Sequence, residues 1–329
     1  MKLPQYCYLA LLVSALPVAA VAQAASPSAG LAYPSKPVRY IVPFPPGAGN
    51  DLIARIVGQK LAENWGQQVV VDNRPGAGGN IAAETTARAA PDGYTVFQFN
   101  VANAIAASLY PKLNYDPVRD FAAVTQLAAS PFLLVVHPAV IAKTTQGLIA
   151  LAKAEPGKLN YASSGIGGSS HLVAELFRAM SNINLVHIPY SGGGPALNDL
   201  LGGQVQIMFA IPAVALPHVK SGRLRALGVS SLQRNKLAPE LPTISESGVT
   251  GYESSAWYGV VVPARTSRPI VARLNTDILR VLQLPEIIER LLSQGVEVIG
   301  SSPENFAQFI KSEVAKWSRV VKISGAKVE

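Results

Sequence analysis

Short apolar runs alternate along this chain with longer segments in which apolar residues recur every three or four positions. The short runs predict β-strands, and the longer segments predict amphipathic helices. The predicted strands cover residues 38–43, 68–71, 94–99, 124–127, 132–136, 159–162, 185–188, 206–210, 225–229 and 257–262. The predicted helices cover residues 51–63, 81–89, 147–154, 169–180, 195–201 and 268–282. Strand and helix therefore alternate over most of the chain.

The last predicted helix has a clear N-terminal signal. Ser302 can cap it, Pro303 suits the first helical position and Glu304 suits the first turn. The apolar stripe that follows consists of Phe306, Ile310, Val314, Trp317 and Val321. The pattern predicts an amphipathic helix that packs one face on the body of the protein.

The alternation of strands and helices predicts an α/β fold. It is interrupted after Phe121, where two apolar runs follow each other with no room for a helix between them. We expect two lobes, each a mainly parallel sheet flanked by helices, with the chain crossing between them near Ser130 and Ser254. Because ligands of open α/β sheets bind at the carboxyl ends of the strands, a ligand should lie in the cleft between the lobes. The expected boundaries are residues 37–129 plus 254–329 for lobe 1 and 130–253 for lobe 2.

The N-terminal residues have the pattern of a secretory signal peptide. Lys2 precedes an apolar run from Cys7 to Ala22, and Ala22-Gln23-Ala24 has the small-x-small pattern of a cleavage site. We expect cleavage after about Ala24, a flexible leader over residues 25–36, and export to the periplasm. No later apolar stretch approaches the roughly 18 residues that a membrane span requires.

The amino-acid composition argues against several classes of site and of binding partner. The chain has 329 residues, with 28 Lys+Arg, 20 Asp+Glu and one Cys, and a formal net charge of +8. Because Cys7 lies in the predicted signal peptide, the exported chain can form neither a disulfide nor a zinc–cysteine site. Basic residues are dispersed and only 7% of residues are aromatic, which argues against nucleic-acid binding. The positive excess favours anionic small molecules, although an ordinary solvated surface would give the same balance.

Motifs for cofactors and catalysis are incomplete. Three Gly-x-Gly pairs, at Gly47, Gly76 and Gly165, lack the third glycine of a dinucleotide fingerprint, and no phosphate-binding loop is present. There is no Gly-x-Ser-x-Gly elbow, and no His, Asp or Glu spacing suits a metal. We therefore expect no cofactor, no metal and no catalytic residue.

Four glycine-rich segments stand where a predicted strand ends and a helix begins. Glycine lets the backbone approach a ligand closely, and a helix N-terminus offers unpaired N–H groups with a positive dipole end. Such junctions can bind a carboxylate or phosphate, although each could also be only a tight turn. The segments cover residues 45–50, 75–80, 163–169 and 191–194.

Several side chains at these junctions have both a structural and a functional interpretation. Asn50 and Asp51 suit helix capping, and a cap at this position could also face a ligand. His171 could pack or hydrogen-bond at the start of its helix, or face the cleft. Phe44 and Tyr190 end strands just before glycine-rich loops, so each could line a pocket or pack in the core.

Several segments resemble the substrate-binding proteins of tripartite tricarboxylate transporters, also called Bug receptors. The resemblance runs over residues 33–322. The segments that show it are YPSKPVRYIVPFPPGAGNDLIARIV, VVDNRPGAGGNIAAE, AAPDGYT, LNYASSGIGGSSHLVAELF, IPYSGGGPALNDLLGGQVQIMF and LPTISESGVTGYESSAWYGVVVPA.

The resemblance implies a two-lobed periplasmic binding protein of the type II kind, which closes on a small organic carboxylate. In that family loop amides, hydroxyls and waters hold one carboxylate of the ligand. The first-lobe loop then covers residues 44–51, and the second-lobe loop covers 163–171 with 190–194 beside it. The candidate ligand-binding residues are Phe44, Pro46, Gly47, Ala48, Asn50, Asp51, Asn80, Asn100, Ser164, Gly168, Ser169, His171, Tyr190 and Gly192.

This chain departs from the family pattern at two places. It has Gly47-Ala48 where the family often has Gly-Gly, and Gly168 where the family usually has Ser or Thr. Ser169 could supply the missing hydroxyl from one residue later.

The resemblance implies a monomeric receptor with two kinds of partner. One is a small carboxylate (a di- or tricarboxylate, an amino acid or an aromatic acid), and the other is a set of membrane transporter subunits. A signalling receptor that reports to a sensor protein is an alternative, and a secreted hydrolase or lyase using Ser169 and His171 is the rival from another class.

Overall fold

Two β-sheets organise the computed structural model, which describes residues 33–47 and 49–326. The first sheet has the order β11-β4-β10-β3-β1-β2, and the second has the order β7-β6-β8-β5-β9. The strands of the first sheet are β1 (Val38–Val42), β2 (Val69–Asn73), β3 (Thr95–Asn100), β4 (Phe121–Pro131), β10 (Ser255–Pro263) and β11 (Glu297–Val298). Those of the second are β5 (Leu133–Val136), β6 (Asn160–Ser163), β7 (Val186–Pro189), β8 (Ile207–Ala210) and β9 (Arg225–Val229).

Helices flank both sheets. The helices connected to the first sheet are α1 (Gly49–Trp65), α2 (Asn80–Ala87), α3 (Val101–Leu109), α8 (Arg268–Leu282), α9 (Pro285–Ser293) and α10 (Pro303–Ser324). Those connected to the second are α4 (Thr145–Ala154), α5 (Ser169–Ser181), α6 (Gly193–Leu201) and α7 (Pro212–Lys220). Each sheet with its helices is named a lobe here, the first lobe containing the six-stranded sheet and the second lobe the five-stranded one. The α/β class that the sequence predicts is confirmed.

Both sheets are mixed, where the sequence predicts mainly parallel ones. β1 is parallel to β2 and β3, but β10 is antiparallel to β3 and β4, and β11 is antiparallel to β4. In the second sheet β6 is parallel to β7 and β8, whereas β5 is antiparallel to β8 and β9. The antiparallel pairs involve strands that are not joined by a helical crossover, the connection that parallel neighbours require. β4 continues into β5 through Phe132 alone, and β10 returns to the first sheet with no helix before it.

Every predicted strand and helix has a counterpart within a few residues. Besides the short 3-10 helix Ala77–Gly79, four of the described α-helices and strands have no predicted counterpart. These are α3, α7, α9 and the two-residue strand β11. Helix α3 follows β3 directly, with Asn100 at the junction and no glycine or proline to mark it. Helices α7 and α9 each begin at a proline, which suits the first helical position.

The C-terminal helix α10 packs against β10 as its apolar stripe predicts. Phe306, Ile310, Trp317 and Val321 are buried and Val314 is partly buried. The indole of Trp257 in β10 is fully buried, stacks on Phe99 at 6.0 Å and donates from Nε1 to Glu313 of α10 at 2.7 Å. These contacts hold β10 in place, and β10 in turn positions Trp257 and Tyr258 at the cleft.

In the part of the chain that the structure describes, no helix is both long and apolar enough to cross a membrane. The predicted signal peptide, residues 1–24, lies outside the described residues, as does most of the predicted leader.

Candidate functional site

A cavity of about 310 Å³ is lined by residues of both lobes. The first lobe contributes residues that follow β1 and β3, together with part of β10. The second lobe contributes the segment between β6 and α5. The lining consists of Phe44, Asn50, Gly78, Asn100, Val101, Ala102, Ile105, Leu109, Tyr110, Ser164, Ile166, Gly167, Gly168, Ser169, Ala256, Trp257 and Tyr258. A cavity of this size suits a small organic molecule.

Six of the candidate residues named from the sequence line this cavity: Phe44, Asn50, Asn100, Ser164, Gly168 and Ser169. Seven others lie outside the lining, namely Pro46, Gly47, Asp51, Asn80, His171, Tyr190 and Gly192. Ala48 lies outside the described residues. The cavity is therefore lined by Phe44 and Asn50 near the two ends of the first predicted loop, and by the middle of the second predicted loop, within residues 164–169.

Asp51 anchors the first-lobe loop. Its carboxylate accepts hydrogen bonds from the Gly47 amide at 2.9 Å, from Asn73 Nδ2 at 3.0 Å and from Arg55 Nε at 2.9 Å. Burial raises the pKa of Asp51, but the hydrogen bonds from Arg55, Gly47 and Asn73 outweigh it, so the pKa lies below its ordinary value. Asn73 Nδ2 also donates to the Phe44 carbonyl at 2.9 Å. The charge of Asp51 is thus used to hold the loop rather than turned towards the cavity.

Asn100 and Asn50 form a polar pair at the cavity. Asn100 caps α3, since its Oδ1 accepts from the Ala102 amide at 2.8 Å and Asn103 Oδ1 accepts from the Asn100 amide at 3.1 Å. Asn100 Nδ2 donates to Asn50 Oδ1 at 3.2 Å. This bond orients Asn50, whose own Nδ2 has no partner within the described residues.

The second-lobe loop is held by its own helix. The Ser164 amide donates to Ser170 Oγ at 3.0 Å, and the Gly167 amide donates to His171 Nδ1 at 3.0 Å. Helix α5 begins at Ser169, and its N-cap residue Gly168 has no side chain to cap the helix. The first backbone hydrogen bond of the helix runs from the Leu172 amide to the Gly168 carbonyl. The amides of the first turn are therefore open to an anion at the positive end of the helix dipole.

Two stacked histidines support this loop from behind. The ring centroids of His171 and His187 are 3.9 Å apart, and His187 Nε2 lies 2.6 Å from Ser163 Oγ. Burial, followed by the charge of Arg178, lowers the pKa of His171 to about 4. Burial, followed by the neighbouring His171, lowers the pKa of His187 to about 4. Both rings are neutral at neutral pH, so His171 can accept the Gly167 hydrogen bond.

The remaining candidates outside the lining make structural contacts. Tyr190 donates from its hydroxyl to Asp199 at 2.7 Å, and Gly192 is the N-cap of α6. Asn80 Oδ1 accepts from the Tyr115 hydroxyl at 2.7 Å. Pro46 is exposed. None of these side chains reaches the cavity.

Two phenols and one helix face of the cavity are not among the residues predicted from the sequence. The Tyr258 hydroxyl lies at the start of α1, 3.6 Å from where a Cβ on Gly49 would stand. Burial raises the pKa of Tyr258 to about 12, so the hydroxyl stays neutral and can donate a hydrogen bond. Tyr110 follows α3, and the apolar face of α3 forms one wall. The sequence contains one signal for the start of α3, because Asn100 and Asn103 have the spacing of a capping box.

The two lobes meet where Leu109 packs against Gly167. Gly167 has φ +74°, and a Cβ added there would overlap Leu109 Cδ2 of the first lobe. Only glycine therefore permits this approach of the second-lobe loop to α3.

Within residues 33–47 and 49–326, no group of three or more His, Cys, Asp or Glu is placed to hold a metal ion.

Two α/β lobes with a ligand-sized cavity between them, lined by strand–helix junctions, define a periplasmic binding protein. The sequence pattern of the family described as tripartite tricarboxylate transporter family receptor (TctC) matches residues 53–326. The chain belongs to this family, as the sequence resemblance implies.

Relatives cover nearly the whole chain. The UPF0065 protein in the tcbD-tcbE intergenic region of Pseudomonas sp. strain P51 is 40% identical over 291 residues, which are 88% of this chain and 87% of that protein. Protein BugT of Bordetella pertussis is 36% identical over 312 residues, which are 94% of this chain and 96% of that protein.

Solved structures of similar proteins have the same fold. Rpa4515 of Rhodopseudomonas palustris with adipate is 34% identical with a TM-score of 0.77, and the match covers 90% of this chain and 100% of that one. MatC (Rpa3494) of the same organism with bound malate is 32% identical with a TM-score of 0.74, and the match covers 88% of this chain and 100% of that one.

Proposed function

We propose that this protein is a solute-binding receptor that captures a small organic carboxylate between its lobes and delivers it to a membrane transporter of the tripartite tricarboxylate type. The main support is the open N-terminal turn of α5, which faces a cavity that Asn50 and Tyr258 line from the other lobe. Such a turn stabilises an anion through several N–H groups without a cationic side chain. The binding of adipate and malate by two relatives supports the same ligand class.

In the proposed complex, donors from both lobes share one carboxylate. Ser169 offers its hydroxyl and the first-turn amides of α5 lie beside it, whereas Asn50 offers Nδ2 and Tyr258 its hydroxyl from the first lobe. A carboxylate has about four acceptor positions, which this set of donors can fill. Because the donors come from both lobes, the ligand itself draws the lobes together by hinge closure.

The receptor works without catalysis under this proposal. His171, the base that a hydrolase would pair with Ser169, accepts the Gly167 amide at Nδ1 and is stacked on His187. Its low pKa and its position behind the loop suit a supporting role. A receptor retains its ligand intact, whereas the hydrolase alternative predicts turnover.

Location and domain limits are part of the same proposal. Residues 1–24 act as a signal peptide that directs the chain to the periplasm, where it acts as a monomer. The lobe limits are 37–129 plus 254–329 and 130–253. If the partner is a sensor protein instead, membrane proteins recovered with the ligand-loaded receptor will include a sensor and lack transporter subunits.

A thermal-unfolding panel tests the proposed function. The chain from residue 25 is heated with acetate, hexanoate, benzoate, adipate, terephthalate, malate or citrate, and with hexanamide and benzamide as neutral controls. A ligand at a thousand times its Kd stabilises the fold by about 4 kcal/mol, which raises the Tm by several degrees. We expect such a shift with acids only. Shifts with amides alone, or consumption of an acid, would contradict the proposal.

A further inference from the structure

One face of α3 forms an apolar wall along the cavity. Val101, Ile105 and Leu109 are spaced four residues apart, so they lie on one side of the helix. All three are buried, at 5%, 1% and 7% exposure. At 1.5 Å per residue, the wall is about 12 Å long. Ile166 of the second lobe extends it at the cavity mouth, where its side chain is 55% exposed.

The indole of Trp257 adds no hydrogen-bond donor to the cavity. Trp257 lines the cavity, but its only polar atom, Nε1, donates to Glu313 at 2.7 Å. The indole therefore presents only carbon atoms to a ligand. Apolar and aromatic contacts of this kind favour a hydrocarbon body over hydroxyl or carboxyl groups.

No charged side chain lines the cavity among the residues that the structure describes, and no histidine does. Two of its polar side chains are already engaged, since Asn100 caps α3 and the Ser164 hydroxyl lies 2.9 Å from Ser170 Oγ. The remaining donors near α1 and α5 suffice for one carboxylate. Among the described residues that line the cavity, the one further polar side chain is Tyr110, whose hydroxyl lies next to Gly78.

A second ionised carboxylate would therefore lose its hydration without gaining a cation. An ion taken from water into such a place is strongly disfavoured unless hydrogen bonds and opposite charge replace its hydration shell. One neutral phenol cannot do so. A hydrocarbon or aromatic group in the same place gains from leaving water.

We propose that the ligand of this receptor is a monocarboxylate with an uncharged, mainly apolar body, such as an aromatic or medium-chain aliphatic acid. This inference rests on the proposed function, because it assumes that one carboxylate is held between α1 and α5. Val101, Ile105, Leu109 and Ile166 select the body of the ligand.

Matched pairs of acids test the inference by calorimetric titration at pH 7.5. Hexanoate is compared with adipate, and benzoate with terephthalate, because each pair differs by one carboxylate on the same body. We expect the monoacid of at least one pair to bind, and to bind at least tenfold more tightly than its diacid. Equal or tighter binding of both diacids, or no binding of either monoacid, overturns the inference. Binding of adipate, malate or citrate in that case leaves the proposed function standing, whereas binding of hexanamide or benzamide alone overturns the proposed function itself.

Two substitutions test whether the residues of the apolar wall determine the preference for the monoacid. Ile166→Arg places a cation at the cavity mouth on an exposed side chain, and should shift the hexanoate-to-adipate preference at least tenfold towards adipate. Ile141→Arg is the matched control, since Ile141 is 78% exposed and is not part of the lining. Ile105→Ala should weaken hexanoate about tenfold and leave acetate unchanged. An unaltered preference in Ile166→Arg, with the variant folded, would overturn the assignment of the wall.

Discussion

Leu109 at the end of α3 packs directly against Gly167 of the opposite lobe, where the backbone has φ +74°. This contact joins the apolar wall of the first lobe to the loop that precedes α5. A side chain on Gly167 would push the lobes apart at the cavity.

Gly167→Ala should therefore weaken ligand binding at least tenfold. A positive φ also costs an alanine about 1 kcal/mol or more of folding stability. Gly222→Ala is the matched control, because Gly222 has the same φ of +74° with nothing within 4 Å of an added Cβ. Calorimetric titration and urea unfolding of both variants separate the two effects. Equal affinities in the two variants would show that the Leu109 contact does not matter for closure.

The buried histidine pair should make the protein less stable in acid. The pKa of His171 is about 4 when folded and about 6.5 when unfolded, so the unfolded state binds more protons between these values. Stability should accordingly be full above about pH 6.5 and fall as the pH drops towards 4, with up to about 3 kcal/mol lost through His171.

Urea unfolding at pH 7.5, 6 and 5 measures this loss. His187→Phe keeps an aromatic ring beside His171 and removes one titrating group, so its pH dependence should be shallower than that of the native chain. His218→Gln is the control, because His218 contacts Arg223 on the surface. Identical slopes for His187→Phe and the native chain would exclude the pair as the cause.

Two hydroxyls at the cavity should contribute to affinity and little to stability. Hydrogen bonds to a charged group contribute about 1.5–3 kcal/mol, so Ser169→Ala and Tyr258→Phe should each weaken acid binding ten- to hundredfold. Tyr40→Phe is the control, since the Tyr40 hydroxyl is buried away from the cavity with no partner in the described chain. Titration with hexanoate, benzoate and adipate measures the effect. Unchanged affinity in Tyr258→Phe for every acid that binds would remove this phenol from the proposed contacts.

Asp51 should prove to be a structural residue that acts on binding through its loop. Its carboxylate is 4% exposed and Arg55 is 52% exposed. Asp51→Ala leaves the Gly47 amide without its acceptor and removes one of the two acceptors of Asn73 Nδ2, so it should lower the free energy of unfolding by about 2 kcal/mol. Glu63→Ala, which breaks an exposed pair with Lys60 on the same helix, should change the free energy of unfolding much less, because exposed ion pairs contribute little to stability. A stable Asp51→Ala protein with normal affinity would argue against the anchoring role.

The sequence was sufficient for the fold class, the alternation of elements and the family, because hydrophobic period and glycine-rich junctions are local properties. Strand direction is not local. β4 and β10 have the same apolar pattern whichever way they run, so the antiparallel pairs of both sheets could not be predicted. Helix α3 was missed because its residues are apolar on most sides and continue directly from β3.

The candidate site was predictable only in part, for a related reason. The glycine-rich loops mark where a ligand can approach, which brought Asn50, Ser164 and Ser169 into the prediction. Whether a polar residue at such a loop faces the ligand depends on partners far along the chain. Asp51 is turned away by Asn73 and Arg55, and Tyr190 by Asp199, whereas Tyr258 reaches the cavity from a strand near the other end of the chain.

A calorimetric comparison of acids with their own amides tests the central claim most directly. The chain from residue 25 is titrated with benzoate against benzamide and with adipate against adipamide, and the ligand is then recovered and identified. The account predicts that one acid molecule binds per chain, at least a hundredfold more tightly than its amide, and is recovered unchanged. Amides that bind as tightly as the acids, or an acid recovered as a reaction product, would contradict it.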